Sequence, residues 1–347
     1  MYQVNNPRNK LPDRALIRFD SAALGDTIAW MPYVNEWQKL YGGTTYVASS
    51  WTEIFDYPNL VYLPNKSKNS SRWAYIWPPD HDEGYKHQLI LGALHTPKIV
   101  DDFNMNIMYE GKPLSIQGCG ARQLKLPALE QVEIKPKLKK VTRPREISQK
   151  YCCISIHASD SPQKYWNNLN GWQEVVDYLI DELDYKVVCI DKKTSYAYNG
   201  VHYDIPKRVI KKTGNFSLDD RMADLEYADF FIGNSSGLAW LSWAMRTHVF
   251  MINGFTYPEN EMKNGCTHIF NPDVCNGCYI VGCDMEDPNT GKTTPYGIAY
   301  WNGQKFVYKE HFYGRCPAYE TYNPPRSFEC TKSITSEMVL AAIKAYI

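Results

Sequence analysis

Three short stretches hold side chains whose types and spacing could do chemistry. The first is SAALGD at 21–26, just before an apolar series with helical spacing. Gly25 would let a ligand approach the backbone closely, and Asp26 places a carboxylate at the mouth of a sheet. Such a carboxylate can take a proton from an acceptor hydroxyl, a contribution of about 10²–10⁴-fold in rate. A helix N-cap worth ~1 kcal/mol is the competing role, and spacing alone favours the cap. The second stretch is GNSSG at 233–237, between a strand-like run and a helical one. Backbone N–H groups at that helix start, with the hydroxyls of Ser235 and Ser236, suit a phosphate or diphosphate; a serine that merely caps the helix explains the same residues equally well. The third is CNGC at 275–278 followed by Cys316 in RCP and Cys330 in FEC. A Cys-x2-Cys turn with two later cysteines suits tetrahedral thiolate ligation of zinc or iron, with Cys266 and Cys283 as spare ligands and buried free thiols as the plain alternative.

The remaining candidates read as structural. Cys119, Cys152, Cys153 and Cys189 stand in apolar or strand contexts, and His157, His248 and His268 have no ligand-like spacing. No Walker A run and no GxGxxG fingerprint occurs, which disfavours a P-loop NTPase and an ordinary dinucleotide dehydrogenase.

The elements that must position these groups alternate between strand and helix. A strand-like run at 15–19 precedes SAALGD, and Ile28, Met31, Val34, Trp37 and Leu40 mark a helix that starts or bends at Pro32. Strands are expected at 44–49 and 59–63, and a long surface loop at 65–86; periodicity says little over 87–132. After residue 150 the alternation sharpens: strands at 152–157, 186–190, 228–233 and 248–252, helices at 172–183 and 238–245, and a helix opened by a Ser217/Asp220 capping pattern. Continuous β-rich runs between amphipathic helices predict a parallel, Rossmann-like sheet. IAYWNGQKFVY at 298–308 reads as a hairpin turning at Asn302-Gly303, which would carry Cys316 back towards CNGC, and a last helix runs from 336 to 347.

At 347 residues the chain is long enough for two domains, and 44% hydrophobic against 22% charged residues excludes a disordered tail or a coiled-coil rod. Lys+Arg and Asp+Glu both number 38, so no whole-chain field draws it to nucleic acid or an anionic membrane. The basic stretch 133–150 holds seven Lys/Arg against two Glu and two prolines. It reads as an extended interdomain connector in preference to a nucleic-acid arm. The polar opening lacks a signal-peptide pattern and no apolar run reaches the roughly 18 residues of a spanning helix, so a cytoplasmic protein without a membrane span is expected.

SAALGDTIAWMPYV at 21–34, SPQKYWNNLNGWQEVVDYL at 161–179, IGNSSGLAWLSWA at 232–244 and the CNGC/RCP/FEC cysteines, in order along 12–347, resemble the bacterial autotransporter heptosyltransferase family. The resemblance implies an α/β protein of the GT-B type, with two Rossmann-like domains facing a cleft. An acceptor domain would span 12–140 and a nucleotide-sugar donor domain 151–332, including a four-cysteine metal finger within 266–330; a helix at 333–347 would cross back to the first domain. It implies Asp26 as catalytic base, and Lys164, Asn234, Ser235, Ser236, Gly237 and Leu238 as the donor site. Cys275, Cys278, Cys316 and Cys330 would ligate a structural iron, with zinc as the alternative. The implied reaction is inverting transfer of heptose from ADP-heptose to serine or threonine hydroxyls of a protein acceptor, by a chain that could form a homo-oligomer. No catalytic divalent metal is required, because the helix N-terminus after Asn234 and the charge of Lys164 can stabilise the leaving diphosphate. A related glycosyltransferase using another nucleotide sugar on a glycan or modified nucleic acid is the alternative enzyme. The non-enzyme alternative is a nucleic-acid-binding module built on the cysteine finger and the basic stretch.

Overall fold

The structure, a computed structural model, describes residues 14–19, 21–63, 87–91, 108–109, 112–158, 162–198, 201–274, 276–277, 297–301, 306–310 and 328–347. The chain divides into two units, Met1–Lys139 and Lys140–Ile347, each with its own parallel sheet. The surface loop expected at 65–86 lies outside the described residues.

In the first unit, β1 (Arg14–Phe19) buries Ala15, Leu16, Ile17 and Phe19 and pairs in parallel with β2 (Thr44–Ala48) and with β4 (His87–Leu91). β3 (Leu60–Tyr62) adds to β2, giving the order β3-β2-β1-β4. β5 (Met108–Tyr109) and β6 (Lys112–Pro113) form a separate antiparallel pair. The helix after β1, α1 (Leu24–Tyr41), runs through Pro32 instead of starting there. Ile28, Trp30, Met31, Tyr33 and Val34 around the proline are all buried, and that burial outweighs the one main-chain bond a proline cannot make. α2 (Ile116–Gln123) packs on α1, and Gly120 permits the close approach: a Cβ there would sit 2.4 Å from Trp30 Cδ1. Trp30 Nε1 donates to Ile116 O at 2.8 Å across the same contact.

The basic stretch is an extended connector tied down at both ends. Lys137 pairs with Asp56 at 2.8 Å and Leu138 bridges to Phe55. Beyond the unit boundary, Arg143 pairs with Asp220 and its carbonyl accepts from Tyr227 Oη at 3.1 Å. Glu146 meets Lys212 at 2.6 Å, and Lys150 lies 4.8 Å from the centre of the Tyr185 ring. These contacts hold Lys137, Arg143 and Lys150 against their own units.

In the second unit, β7 (Tyr151–Ser155) is buried at every position. With β8 (Lys186–Cys189), β11 (Ile210–Lys211), β12 (Phe230–Asn234), β13 (His248–Ile252) and β14 (Cys266–Ile269) it forms a sheet of order β11-β8-β7-β12-β13-β14 in which every pairing is parallel. Counted within the sheet this is the 3-2-1-4-5-6 Rossmann order, whose direction reverses between β7 and β12; ligands of such sheets bind beyond the carboxyl ends at that point. An antiparallel hairpin, β9 (Ser195–Tyr198) and β10 (Val201–Asp204), follows β8. The covering helices are α3 (Gly171–Asp181), α4 (Leu218–Glu226) and α5 (Gly237–Ala244). α4 opens with the expected capping box: Ser217 Oγ accepts from Asp220 N at 3.1 Å, and Asp220 Oδ2 accepts from Ser217 N at 2.9 Å.

β15 (Gly297–Trp301) and β16 (Phe306–Glu310) form the expected hairpin, with Trp301 paired to Phe306; Asn302 and Gly303, where the turn is expected, lie outside the described residues. The last helix is α6 (Ser336–Tyr346). Its buried residues Val339 and Ile343 join the core of the second unit, because an apolar stripe beside α3 and β13 is satisfied there.

Candidate functional site

Asp26 stands in the first turn of α1, just past the carboxyl end of β1, and is half-buried. It is not the N-cap that spacing favoured: the cap position is Ala23, in extended backbone and without a side-chain cap bond. The turn is organised by Ser21, whose Oγ accepts from Ala23 N at 3.1 Å and donates to Asp26 Oδ2 at 2.5 Å. Trp51 Nε1 adds a bond to Ala22 O at 2.7 Å, and Thr27 Oγ1 lies 3.1 Å from Ser49 Oγ. The carboxylate is thereby oriented.

In the second unit, the carboxyl ends of β7 and β12 meet through Asn234. This fully buried side chain donates from Nδ2 to Ile156 O at 2.8 Å, while its Oδ1 has no hydrogen-bond partner among the described residues. Beside it, Asp191, just beyond β8, gathers donors from the end of β7: Ser155 Oγ at 2.6 Å, Ile156 N at 2.8 Å and His157 N at 3.4 Å. The His157 ring stands between Asp191 and the hairpin, with Nδ1 3.5 Å from Asp191 Oδ2 and Nε2 2.7 Å from Tyr203 O. Burial pushes the Asp191 carboxyl above the usual range, and the neighbouring imidazole and these hydrogen bonds oppose that shift. Asp191 escaped the sequence reading, although a lone acid directly after KVVCI at 186–190 is the signal that could have found it.

The SSG loop opens α5. Ser236 is its N-cap, accepting from Ala239 N at 3.4 Å, and is half-buried. Ser235 is buried and donates to Glu261 Oε1 at 2.5 Å, while Glu261 Oε2 accepts from Trp240 Nε1 at 3.0 Å. Gly237 and Leu238 form the first turn, so their N–H groups stand at the positive end of the helix. Lys164 closes a short 3-10 turn, Pro162–Lys164, and its Nζ lies 4.9 Å from the centre of the Phe255 ring. Glu261 and Phe255 were not foreseen.

Cys275, Cys278 and Cys316 lie outside the described residues, as does Cys283. Among the described residues no cluster of three His, Cys, Asp or Glu could hold a metal ion. Cys330 is buried, and a Cβ on Gly254 would sit 3.3 Å from its Sγ. Gly254 O also accepts from Gly277 N at 2.9 Å, so a residue of the CNGC turn and Cys330 flank the same glycine. Cys119, Cys152, Cys153 and Cys189 are buried free thiols, as expected. Burial pushes the thiols of Cys152, Cys153 and Cys189 far up, which leaves them inert.

Among the described residues no helix is long and apolar enough to cross a membrane. A family model for glycosyltransferase family 9 (heptosyltransferase) matches residues 121–264. Over 345 residues the chain is 30% identical to the autotransporter heptosyltransferase TibC of Escherichia coli O78:H11, covering 96% of this chain and 72% of TibC. It is also 30% identical over 344 residues to the autotransporter heptosyltransferase BAHTCr of Citrobacter rodentium, covering 96% and 71%. The crystal structure of TibC from enterotoxigenic E. coli H10407, an iron-containing dodecameric glycosyltransferase, matches with a TM-score of 0.72 at 28% identity, covering 97% of this chain and 77% of TibC. TibC in complex with ADP-D-β-D-heptose matches at 0.70 and 27% identity, with the same coverage. Parallel α/β units, a switch-point loop at the start of α5 and similarity along nearly the whole chain agree: this chain belongs to the autotransporter heptosyltransferase family and is a glycosyltransferase.

Proposed function

We propose that the chain transfers heptose from ADP-heptose, with inversion, to a serine or threonine hydroxyl of a protein acceptor. The observation that carries this reading is the SSG loop opening α5 at the switch point of a Rossmann-ordered sheet, in a chain similar to a protein crystallised with ADP-heptose. The N–H groups of Gly237 and Leu238, the Ser236 hydroxyl and the Lys164 ammonium would hold the diphosphate and stabilise its charge as it leaves. Asn234, which ties the end of β12 to Ile156 O, would hold the loop that carries Ser235 and Ser236 in place. Asp26 would accept the acceptor's hydroxyl proton as the oxygen bonds to the anomeric carbon. The bond from that carbon to the diphosphate oxygen breaks, and ADP departs with the electron pair. Attack opposite the leaving group inverts the anomeric centre.

The iron of TibC supports a structural metal here as well, held by Cys275, Cys278, Cys316 and Cys330. The approach of Gly277 and Cys330 to Gly254 fits such a finger. A closed four-thiolate shell leaves no position for substrate, so the metal would stabilise the fold and supply no step of transfer. The dodecameric state of TibC likewise supports a homo-oligomer, and a cytoplasmic location suits a nucleotide-sugar donor.

A thermal-shift panel of ADP-heptose, ADP-glucose and UDP-glucose tests the donor, since a ligand at 100 times its Kd adds about 2.7 kcal/mol. Stabilisation by ADP-heptose above the other two, with heptose found on serine or threonine of an acceptor by mass spectrometry, is expected. Preference for a UDP sugar would overturn the donor assignment.

A further inference from the structure

The loop after β13, residues 253–262, reaches both halves of the donor site. Its ends are fastened by one residue: His268 on β14 bonds through Nδ1 to Asn253 Oδ1 and through Nε2 to Met262 O, each at 2.8 Å. Asn253 N adds a bond to Ile269 O at 2.9 Å, and Tyr257 N donates to Asn260 Oδ1 at 3.1 Å. From this braced segment two side chains extend. Phe255 presents its ring to the Lys164 ammonium at 4.9 Å, and Glu261, 1% exposed, receives Ser235 Oγ and Trp240 Nε1 on its two oxygens.

Each contact has a chemical consequence. An aromatic face attracts an ammonium without neutralising it, so the ring can fix where the Lys164 head group lies and itself cancels none of its charge. Ser235 directs its only hydroxyl hydrogen to Glu261 and therefore has none to give a phosphate. The hydroxyl hydrogen available to the diphosphate is then that of Ser236. Trp240 lies on α5 itself, so Glu261 fixes the first turn of that helix relative to the loop.

We propose that Phe255 and Glu261 are positioning residues of the donor site: Phe255 orients Lys164, and Glu261 orients Ser235 and the start of α5. This deepens the donor assignment above and rests on it. The test uses the full chain, with ADP as the calorimetric probe and ADP-heptose in steady-state kinetics. Phe255→Leu should weaken ADP binding about 3–10-fold and lower kcat/KM for the donor by at least that factor, while Phe255→Trp restores wild-type values. In a Lys164→Ala background, Phe255→Leu should add no further loss, because the ring acts only through the lysine. Glu261→Gln should also weaken ADP binding and lower kcat/KM for the donor; where that variant fails to fold, Ser235→Ala, which removes the same Ser235–Glu261 hydrogen bond, replaces it. Unchanged ADP affinity in Phe255→Leu, or an undiminished further loss in the Lys164→Ala background, would overturn the proposal while leaving the donor site standing. Unchanged ADP affinity in both Lys164→Ala and Ser236→Ala would remove the donor assignment and this inference together.

Discussion

Ser21 donates its hydroxyl hydrogen to Asp26 Oδ2 across 2.5 Å, inside the turn that joins β1 to α1. Because the same Ser21 oxygen accepts from Ala23 N, one serine shapes the turn and aims the carboxylate. A base held in one orientation before substrate arrives has less ordering left to do during reaction.

Asp26→Asn should therefore keep the fold and ADP affinity while lowering kcat by roughly 10²-fold or more. Ser21→Ala should lower kcat several-fold with the donor KM unchanged, since it loosens the carboxylate and leaves the residues proposed to hold the donor intact. Rate assays alongside melting curves decide the matter. Near-normal turnover in Asp26→Asn would sink the base assignment, and a large fall in Tm would make the residue structural.

How much of this was legible depended on the distance along the chain between partners. The parallel α/β alternation and the capping box of α4 are local patterns, and they are found where the residues put them. The strand order is not local: alternation predicts parallel pairing, but only packing decides that β12 lies beside β7. Ser235 and Ser236 could be picked out as a pair, yet their different roles depend on Glu261, in another loop, which takes only the first. Asp191 likewise acts on Ser155 across two elements of the sheet. Pro32 misled the helix boundary because propensity weighs a single bond, while the burial around Trp30 and Tyr33 involves the whole unit.

Asn234 ties the ends of β12 and β7 together, so its replacement tests whether that junction matters for the donor. Asn234→Ala should cost about 1–3 kcal/mol of stability, since Ile156 O loses its buried donor, and should weaken ADP binding. Asn234→Asp should be worse than Asn234→Ala, because it places a charge at a fully buried position. Urea denaturation compares the two. An aspartate variant as stable as wild type would show that the site is open to water.

Asp220 gives a pH test of the connector's anchorage. The Ser217 hydroxyl and N–H, with the Arg143 guanidinium, hold its carboxyl below the usual range. A depressed carboxyl stabilises the fold above the ordinary value near pH ~4, and that contribution disappears as pH falls through the depressed value. Asp220→Asn should thus be less stable than wild type at neutral pH, by about 0.5 kcal/mol given the exposure of the Arg143 pair, and the gap should close on acidification. A gap that widens in acid would contradict the assignment.

The cysteines give the last test, which bears on metal and fold together. Gly277 adopts a positive φ of 80°, and a Cβ there would lie 2.0 Å from Tyr257 Cε2, so Gly277 is pressed against the loop that carries Gly254, and Cys330 lies beside that glycine. If Cys275, Cys278, Cys316 and Cys330 close one thiolate shell, protein purified without chelator should carry about one iron or zinc per chain by elemental analysis. The Cys275→Ser, Cys278→Ser double variant should lose that metal and melt at lower temperature, because binding free energy of a structural metal is folding free energy. Gly277→Ala should mimic part of this loss with every thiol retained, since it strains the turn that presents two of them. Donor binding offers a second readout: Phe255 stands next to Gly254, so metal loss should weaken ADP affinity as well as stability. Metal-free protein with four free thiols at these positions and an undiminished Tm would show that the cysteines only pack.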